Sequence, residues 1–258
     1  MSMGGAQPKV SARLSPSRGT FELVDIGGHY ILKPGHPVYA ELPANEDLSM
    51  RMAAAAGIET PLHGLVFARD ATLCYVVRRF DRVGATGKRA VEDVGQLLGV
   101  SREAKYAASM EDVASVLDQY ATIPVLDHER LLRRTLVAFL LGDEDLHIRN
   151  LSLLTGEAVI RLSPAYDIVN TTLAQGGADD ELALPLGGRK AGFERGHFTD
   201  YFGRDVLGLR QAVVEQVVGD IRAAQPAWDD LLVRSFLSEG ARQSYADLLS
   251  RRRRRLGL

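Results

Sequence analysis

Between Val10 and Leu32 the apolar residues alternate or run in short bursts, at Val10 to Leu14, Thr20 to Ile26 and His29 to Leu32. Ser15-Pro16-Ser17-Arg18-Gly19 and Gly27-Gly28 separate them. Short apolar runs broken by such turn residues predict a β-meander. Asn45-Glu46 opens a predicted helix that runs to about Ala56 and is stopped by Gly57. Two further strands are predicted over Leu62 to Phe67 and Leu73 to Phe80. Beyond Val83-Gly84-Ala85-Thr86-Gly87 the apolar spacing lengthens to the helical period. Helices are predicted over Met110 to Ile123, Leu126 to Leu141, Phe193 to Tyr201, Leu207 to Ala223, Trp228 to Phe236 and Ala241 to Arg253, with an irregular piece at Ala183 to Lys190. The pattern predicts an α+β protein, β-rich over residues 1–82 and mainly helical over 83–258, without an internal repeat.

Composition narrows the classes of partner. The chain has 258 residues, 46% hydrophobic and 25% charged, and a formal net charge of -2, so no global field draws it to nucleic acid or an anionic membrane. The one cysteine, Cys74, excludes an internal disulfide, points to a reducing compartment and reads as a buried strand residue. No apolar run approaches the ~20 residues that span a bilayer, and the N-terminus lacks a signal-peptide pattern, so a cytoplasmic protein is expected. His29, His36, His63, His128 and His197 fall at no metal-ligand spacing.

The densest chemistry lies in Gly142-Asp143-Glu144-Asp145-Leu146-His147-Ile148-Arg149-Asn150, directly after the apolar run Leu131 to Leu141. Asp145 and Asn150 stand at the spacing of a kinase catalytic loop, in which the Asp accepts the hydroxyl proton and the Asn holds a metal ion. A second carboxylate, Asp167 in Ser163-Pro164-Ala165-Tyr166-Asp167, follows a short apolar strand and is placed to share that metal. Lys33 closes the strand Tyr30-Ile31-Leu32, where nucleotide kinases place a phosphate-pairing amine. Glu46 is open to two readings, a partner for Lys33 or a first-turn acid favoured by the helix dipole.

These segments resemble the HipA-like serine/threonine kinases, the toxin halves of bacterial toxin-antitoxin modules. The family pattern N-x-D-x-H-x-K-N-F-S is matched by Asp143 to Ser152, and P-x-Y-D by Pro164 to Asp167. Asp143 stands for the usual Asn and adds a negative charge near the expected metal; Arg149 stands for the usual Lys and keeps a positive charge to meet phosphate. Val76-Val77-Arg78-Arg79-Phe80-Asp81-Arg82 is close to the hinge V-E-R-F-D-R, and Glu92 to Gly99 with Lys105-Tyr106 echo the family's Q-E-D-x-x-Q-x-x-G…K-Y segment. Ser2-Met3-Gly4-Gly5-Ala6-Gln7-Pro8-Lys9 matches the nucleotide-covering S-x-x-G-x-Q-x-K loop.

The resemblance implies a two-lobed protein-kinase-like fold and an ATP- and Mg²⁺-dependent transfer to a protein serine. It implies Asp145 as catalytic, and Asn150 and Asp167 as metal ligands. It implies ATP contacts from Gly4, Gly5, Ala6, Gln7, Lys9, Lys33, Arg78, Phe80, His147, Arg149, Asn150 and Asp167, and Ser2 as an autophosphorylation site. Family substrates include aminoacyl-tRNA synthetases, and the usual partner is a DNA-binding antitoxin. The small subdomain that usually precedes the glycine loop is expected either to have been cut away or to come from a separate polypeptide. A small-molecule or lipid kinase and a catalytically weak nucleotide-binding pseudokinase stay open as alternatives. So do two readings of Arg251 to Arg255, a solvated helix end or a contact with nucleic acid or an acidic partner.

Overall fold

The computed structural model describes residues 8–258. Its first part is a five-stranded antiparallel sheet built from β1 (Val10–Ser15), β2 (Thr20–Leu23), β3 (Tyr30–Lys33), β4 (His63–Phe67) and β5 (Leu73–Arg78), in the order β2-β1-β3-β5-β4. The predicted strand from Thr20 ends early, at Leu23, and Ile26 beyond it is 87% exposed, outside the pleated surface that would have held it. Helix α1 (Leu42–Ala55) crosses from β3 to β4 and begins three residues before the predicted start, because Pro43 fits a first helical turn. It packs on β5 and β4 with one side and on the helical part with the other, so buried residues ring it almost completely.

The predicted helical part opens instead with strands. The hairpin β6 (Arg82–Val83) and β7 (Gly87–Lys88) is followed by β8 (Val91–Asp93), which pairs with β9 (Ser152–Thr155) and β9 in turn with β10 (Ile160–Leu162). The segment Glu92 to Gly99 holds only the one-turn helix α2 (Val94–Leu97), capped by Asp93 and Gln96 in reciprocal bonds. Helices α3 (Met110–Tyr120) and α4 (Pro124–Leu141) follow as predicted in place; Ser109 and Asp112 form a capping box on α3, and Pro124 opens α4. After α5 (Thr171–Gln175) the predicted Phe193 to Tyr201 helix is a ten-residue π-helix, His197–Val206.

Helices predicted separately at Leu207 to Ala223 and Trp228 to Phe236 are one, α6 (Gln211–Val233), which continues through Pro226. A proline there removes one backbone donor, but Ala224 and Trp228 on either side are buried against the core, and that packing holds the helix together. The last helix, α7 (Glu239–Leu256), lies along α4 and α6.

Trp228 joins the two parts. Its ring is fully buried, and its indole N–H donates to the Met52 carbonyl near the end of α1 at 2.7 Å. Trp228→Ala should therefore cost about 3–5 kcal/mol of unfolding free energy, and Trp228→Phe less, losing the hydrogen bond but most of neither the area nor the volume. Urea unfolding followed by circular dichroism checks both, and equal losses would show that the hydrogen bond rather than the ring volume holds the joint.

Candidate active site

Where the sheet meets the helices there is a cleft of about 360 Å³. Its apolar walls are Ile31, Val77, Phe80, Val91 and Tyr166, and its polar end carries Lys9, Lys33, Glu46 and Asp167. Arg78, Arg79 and Asp81 complete the rim. Phe80 stacks at a tilt on Tyr166 with ring centroids 5.7 Å apart, closing the floor at the hinge. The Arg78 and Arg79 amides are already given to the Leu62 and His29 carbonyls at 2.7 and 2.8 Å, so these two donors are not open to a base.

The polar end is organised by one amine. Lys33 is buried at the end of β3, and its Nζ lies 2.7 Å from Glu46 Oε1 on α1 and against the Asp167 carboxylate. Burial disfavours the Lys33 charge, but the Asp167 and Glu46 carboxylates outweigh it and hold the amine above its ordinary range. Of the two readings of Glu46, the structure takes the pairing with Lys33. Asp167 itself sits at φ 59°, a left-handed conformation that Asp tolerates better than most residues. It is held there from behind: Asn45 on α1 exchanges two hydrogen bonds of 2.9 Å with the backbone of Asn170, three residues on.

The loop after α4 faces this end. Gly142 ends the helix at φ 79°, and a Cβ there would come within 2.6 Å of Leu248 and 2.7 Å of Asn170, so only glycine fits. Asp145 is partly buried; Tyr106 donates its hydroxyl to Oδ1, Lys105 Nζ lies 3.5 Å away and His147 Nε2 3.9 Å. The amide of Asn150 donates to the Asp145 carbonyl at 2.9 Å, which leaves its oxygen for a cation. The Glu144 amide donates to the Thr171 hydroxyl at 2.8 Å, tying the loop to the segment behind Asp167.

Several expected site residues are placed differently. The Arg149 fork does not reach the cleft. Its two terminal nitrogens bond Asp93 at 3.0 and 3.1 Å and the Val100 carbonyl at 2.7 Å, because Asp93 caps α2 directly beside it. His147 is buried outside the cleft lining, its ring edge-on to Tyr106, and burial lowers its pKa. Gly4, Gly5, Ala6, Gln7 and Ser2 lie outside the described residues. The arginine run is not a solvated helix end as a whole. Arg252 is buried, bonding Glu144 at 2.8 Å and the Phe139 carbonyl; Arg253 pairs with Asp229 at 2.9 Å and Arg255 with Glu181. Only Arg251 and Arg254 of the five are exposed. Sequence reading missed Asn45, Tyr106 and Arg252 as supports of the site; the signal available was that Arg252 is the one member of the run on the apolar face of α7.

Asp143 stands at the start of the loop. It is buried, its Oδ1 accepts from the Asp145 amide at 3.2 Å, and its Oδ2 has no hydrogen-bond partner among the described residues. Burial, reinforced by the Asp145 charge, pushes its carboxyl well above the usual carboxylate range. The fold thus disfavours a negative charge at this position.

Magnesium is commonly held by one or two protein oxygens together with substrate phosphates and water, and the Asn150 amide oxygen, left over when its nitrogen donates to Asp145, and the Asp167 carboxylate are oxygens of that kind. Among the described residues no group of three or more His, Cys, Asp or Glu side chains could hold a metal ion on its own.

A small curled antiparallel sheet over a helical part, with a buried Lys–Glu pair and an Asp at the cleft between them, defines a kinase-like fold. The profile of the HipA-like C-terminal domain family matches residues 1–228, and the chain belongs to that family. It is 28% identical, over 93% of its length and 77% of the relative's, to a Haemophilus influenzae protein named "Putative kinase". To a Shewanella oneidensis protein named serine/threonine-protein kinase toxin HipA it is 26% identical, over 72% of its own length but only 46% of that protein's. In structure it is similar to a chain of the Shewanella oneidensis MR-1 toxin-antitoxin complex of HipA, HipB and operator DNA, with a TM-score of 0.83 and 23% identity over 100% of this chain and 66% of that one.

Because the Asp143 carboxyl holds its proton more tightly folded than unfolded, its contribution to stability is complete below about pH 4 and is lost as pH rises through the raised folded value. Asp143→Asn has no proton to lose. Its unfolding free energy relative to wild type should improve by about 1.4 kcal/mol per pH unit within that window, as read by urea titrations from acid to neutral pH. Parallel stability curves for the two proteins would mean that Asp143 is ionised in the fold.

Proposed function

We propose that the chain is an ATP- and Mg²⁺-dependent kinase that transfers the γ-phosphoryl group to a serine of another protein. The observation that carries this reading is the buried Lys33 held between Glu46 and Asp167 at the polar end of the cleft, with Asp143 and His147 of the adjoining loop close enough to Asp167 for their charges to interact. Lys33 would bind the phosphates, and Glu46 keeps it aimed. Mg²⁺, when bound, supplies positive charge between the β- and γ-phosphates. Asn150 and Asp167 would hold it. Ile31, Val77 and Phe80 would take the base.

In the transfer, the acceptor oxygen bonds the γ-phosphorus as the bond from that phosphorus to the bridging oxygen of ADP breaks. The hydroxyl proton passes to Asp145, which touches the acceptor. The protein's part is positioning and electrostatic stabilisation rather than covalent chemistry. The division of labour follows an N-lobe over residues 1–82 and a C-lobe over 83–258. Residues Gly4 to Lys9 would cover the nucleotide, and Ser2 would be modified by the kinase itself.

A toxin-antitoxin setting is supported by the relatives' names, and within it a DNA-binding antitoxin is the proposed partner, with an aminoacyl-tRNA synthetase among the proposed substrates. Among the described residues no helix is long and apolar enough to cross a membrane; we place the reaction in the cytoplasm.

Incubation with labelled ATP and a cell lysate tests the reading. Wild-type protein should pass label to a protein, and Asp145→Asn should abolish this while leaving circular dichroism unchanged, because it removes a proton acceptor and few packing contacts. Retained transfer by that variant would refute the assignment of the loop. A lipid or small metabolite carrying the label would point instead to a different acceptor class. Asp167→Ala should bind ATP equally well with and without Mg²⁺, as measured by titration calorimetry; an unchanged metal dependence would remove Asp167 from the metal site.

A further inference from the structure

We infer that Lys105 is a further catalytic residue, whose ammonium meets the transferred phosphoryl group from the acceptor side. The inference rests on the kinase reading and goes beyond it, since neither the loop motif nor the Lys33 site includes this residue.

Three observations lead to it. The first is that two other cations near the reaction are already committed, and Lys9 stands in the nucleotide cleft itself. Lys33 lies between Glu46 and Asp167, and the Arg149 fork is spent on Asp93 and the Val100 carbonyl. The second is position. An acceptor hydroxyl that gives its proton to Asp145 must lie within about 3 Å of that carboxylate, and the phosphorus it attacks about 3–3.5 Å further on. Lys105 Nζ, 3.5 Å from Asp145 Oδ1, is therefore within reach of the oxygens that gain charge during transfer.

The third is that this ammonium is poised without being consumed. A separation of 3.5 Å is longer than a normal N–H···O hydrogen bond, so the pair attracts without locking the three donors of the amine. The Lys105 side chain is 26% exposed, in a turn, and so can follow a phosphoryl group. Its Nζ lies 4.9 Å from the centroid of the Tyr106 ring, and the Tyr106 hydroxyl donates to the same Asp145 oxygen that the ammonium approaches. Lys190 approaches the same ring at 5.7 Å, with its nearest carboxylate, Asp180, at 3.9 Å. Two ammoniums over one aromatic ring repel one another, and an anionic group between them and Asp145 relieves that repulsion.

Positive charge is thus supplied from both ends of the transferred group, by Lys33 on the nucleotide side and Lys105 on the acceptor side. Charge placed where it develops in the transition state raises the rate of the chemical step more than the binding of ATP.

The test compares wild type, Lys105→Met and Lys105→Arg in two measurements. One is ADP release from ATP and Mg²⁺, with and without lysate, since water serves as acceptor when no protein does. The other is the affinity for a fluorescent ATP analogue. Lys105→Met should lower kcat on the order of 10²-fold, leave KM for ATP and analogue affinity within about threefold of wild type, and keep its melting temperature. Lys105→Arg should recover part of the lost kcat. A Met variant as fast as wild type overturns the inference. So does a variant that loses kcat and ATP affinity together and is not rescued by arginine, which is what a structural role would give. If wild-type protein itself neither releases ADP nor transfers phosphate, the kinase reading falls first and this inference with it; an active wild type beside an unaffected Lys105→Met overturns the inference alone.

Discussion

A lysine with almost no access to water is the constraint to which the rest of the molecule answers. Lys33 is 6% exposed, and an unpaired ammonium at such a site is too costly to keep. Its two carboxylate partners come from different places in the chain, Glu46 from α1 and Asp167 from beyond the catalytic loop, so satisfying one charge brings sheet, helix and loop together. Such a network is weak evidence for stability, because desolvation consumes most of the Coulomb gain. Its value is geometric. It fixes the polar end of the cleft by tying β3 to α1 and to the segment that carries Asp167.

The supports of that arrangement lie behind it rather than in it. Asn45 ties the segment after Asp167 to α1, Thr171 holds the Glu144 amide, and Arg252 reaches from α7 to both Glu144 and the Phe139 carbonyl at the end of α4. Guanidinium suits this last position because its planar fork serves a carboxylate and a carbonyl at once. Buried against the Phe139 ring as well, Arg252 acts as part of the core rather than as surface charge. The final helix is therefore a brace for the loop.

Charge near the loop is set by burial as much as by composition. Asp143, Glu144 and Asp145 are consecutive carboxyls, yet each has its own environment: burial raises the pKa of Asp143, Glu144 is paired with Arg252, and Asp145 alone is partly open, with Tyr106 on its Oδ1. Of three adjacent acids, one is thus left partly exposed. That selection follows from desolvation and pairing, the two largest influences on a side-chain pKa.

The order of residues was enough to give the α+β class, the early strands, helices α3, α4 and α7, the Lys33 strand end and the Asp145–Asn150 and Asp167 segments, because apolar period, turn residues and motif spacing are local properties; it did not give the strand order, since β1 lies between β2 and β3 where a meander would have placed β2 in the middle. It could not decide which of two roles Glu46 takes, since a dipole-favoured acid and an ion-pair partner look alike until β3 is placed against α1. Nor could it show that Arg149 turns to Asp93 while Lys105 turns to Asp145, for both outcomes depend on residues about 40 to 60 positions away. The fusion of two predicted helices through Pro226 and the raised pKa of Asp143 have the same origin: long-range packing outweighed a local helix breaker in one case, and removed water that favours an ionised carboxyl in the other.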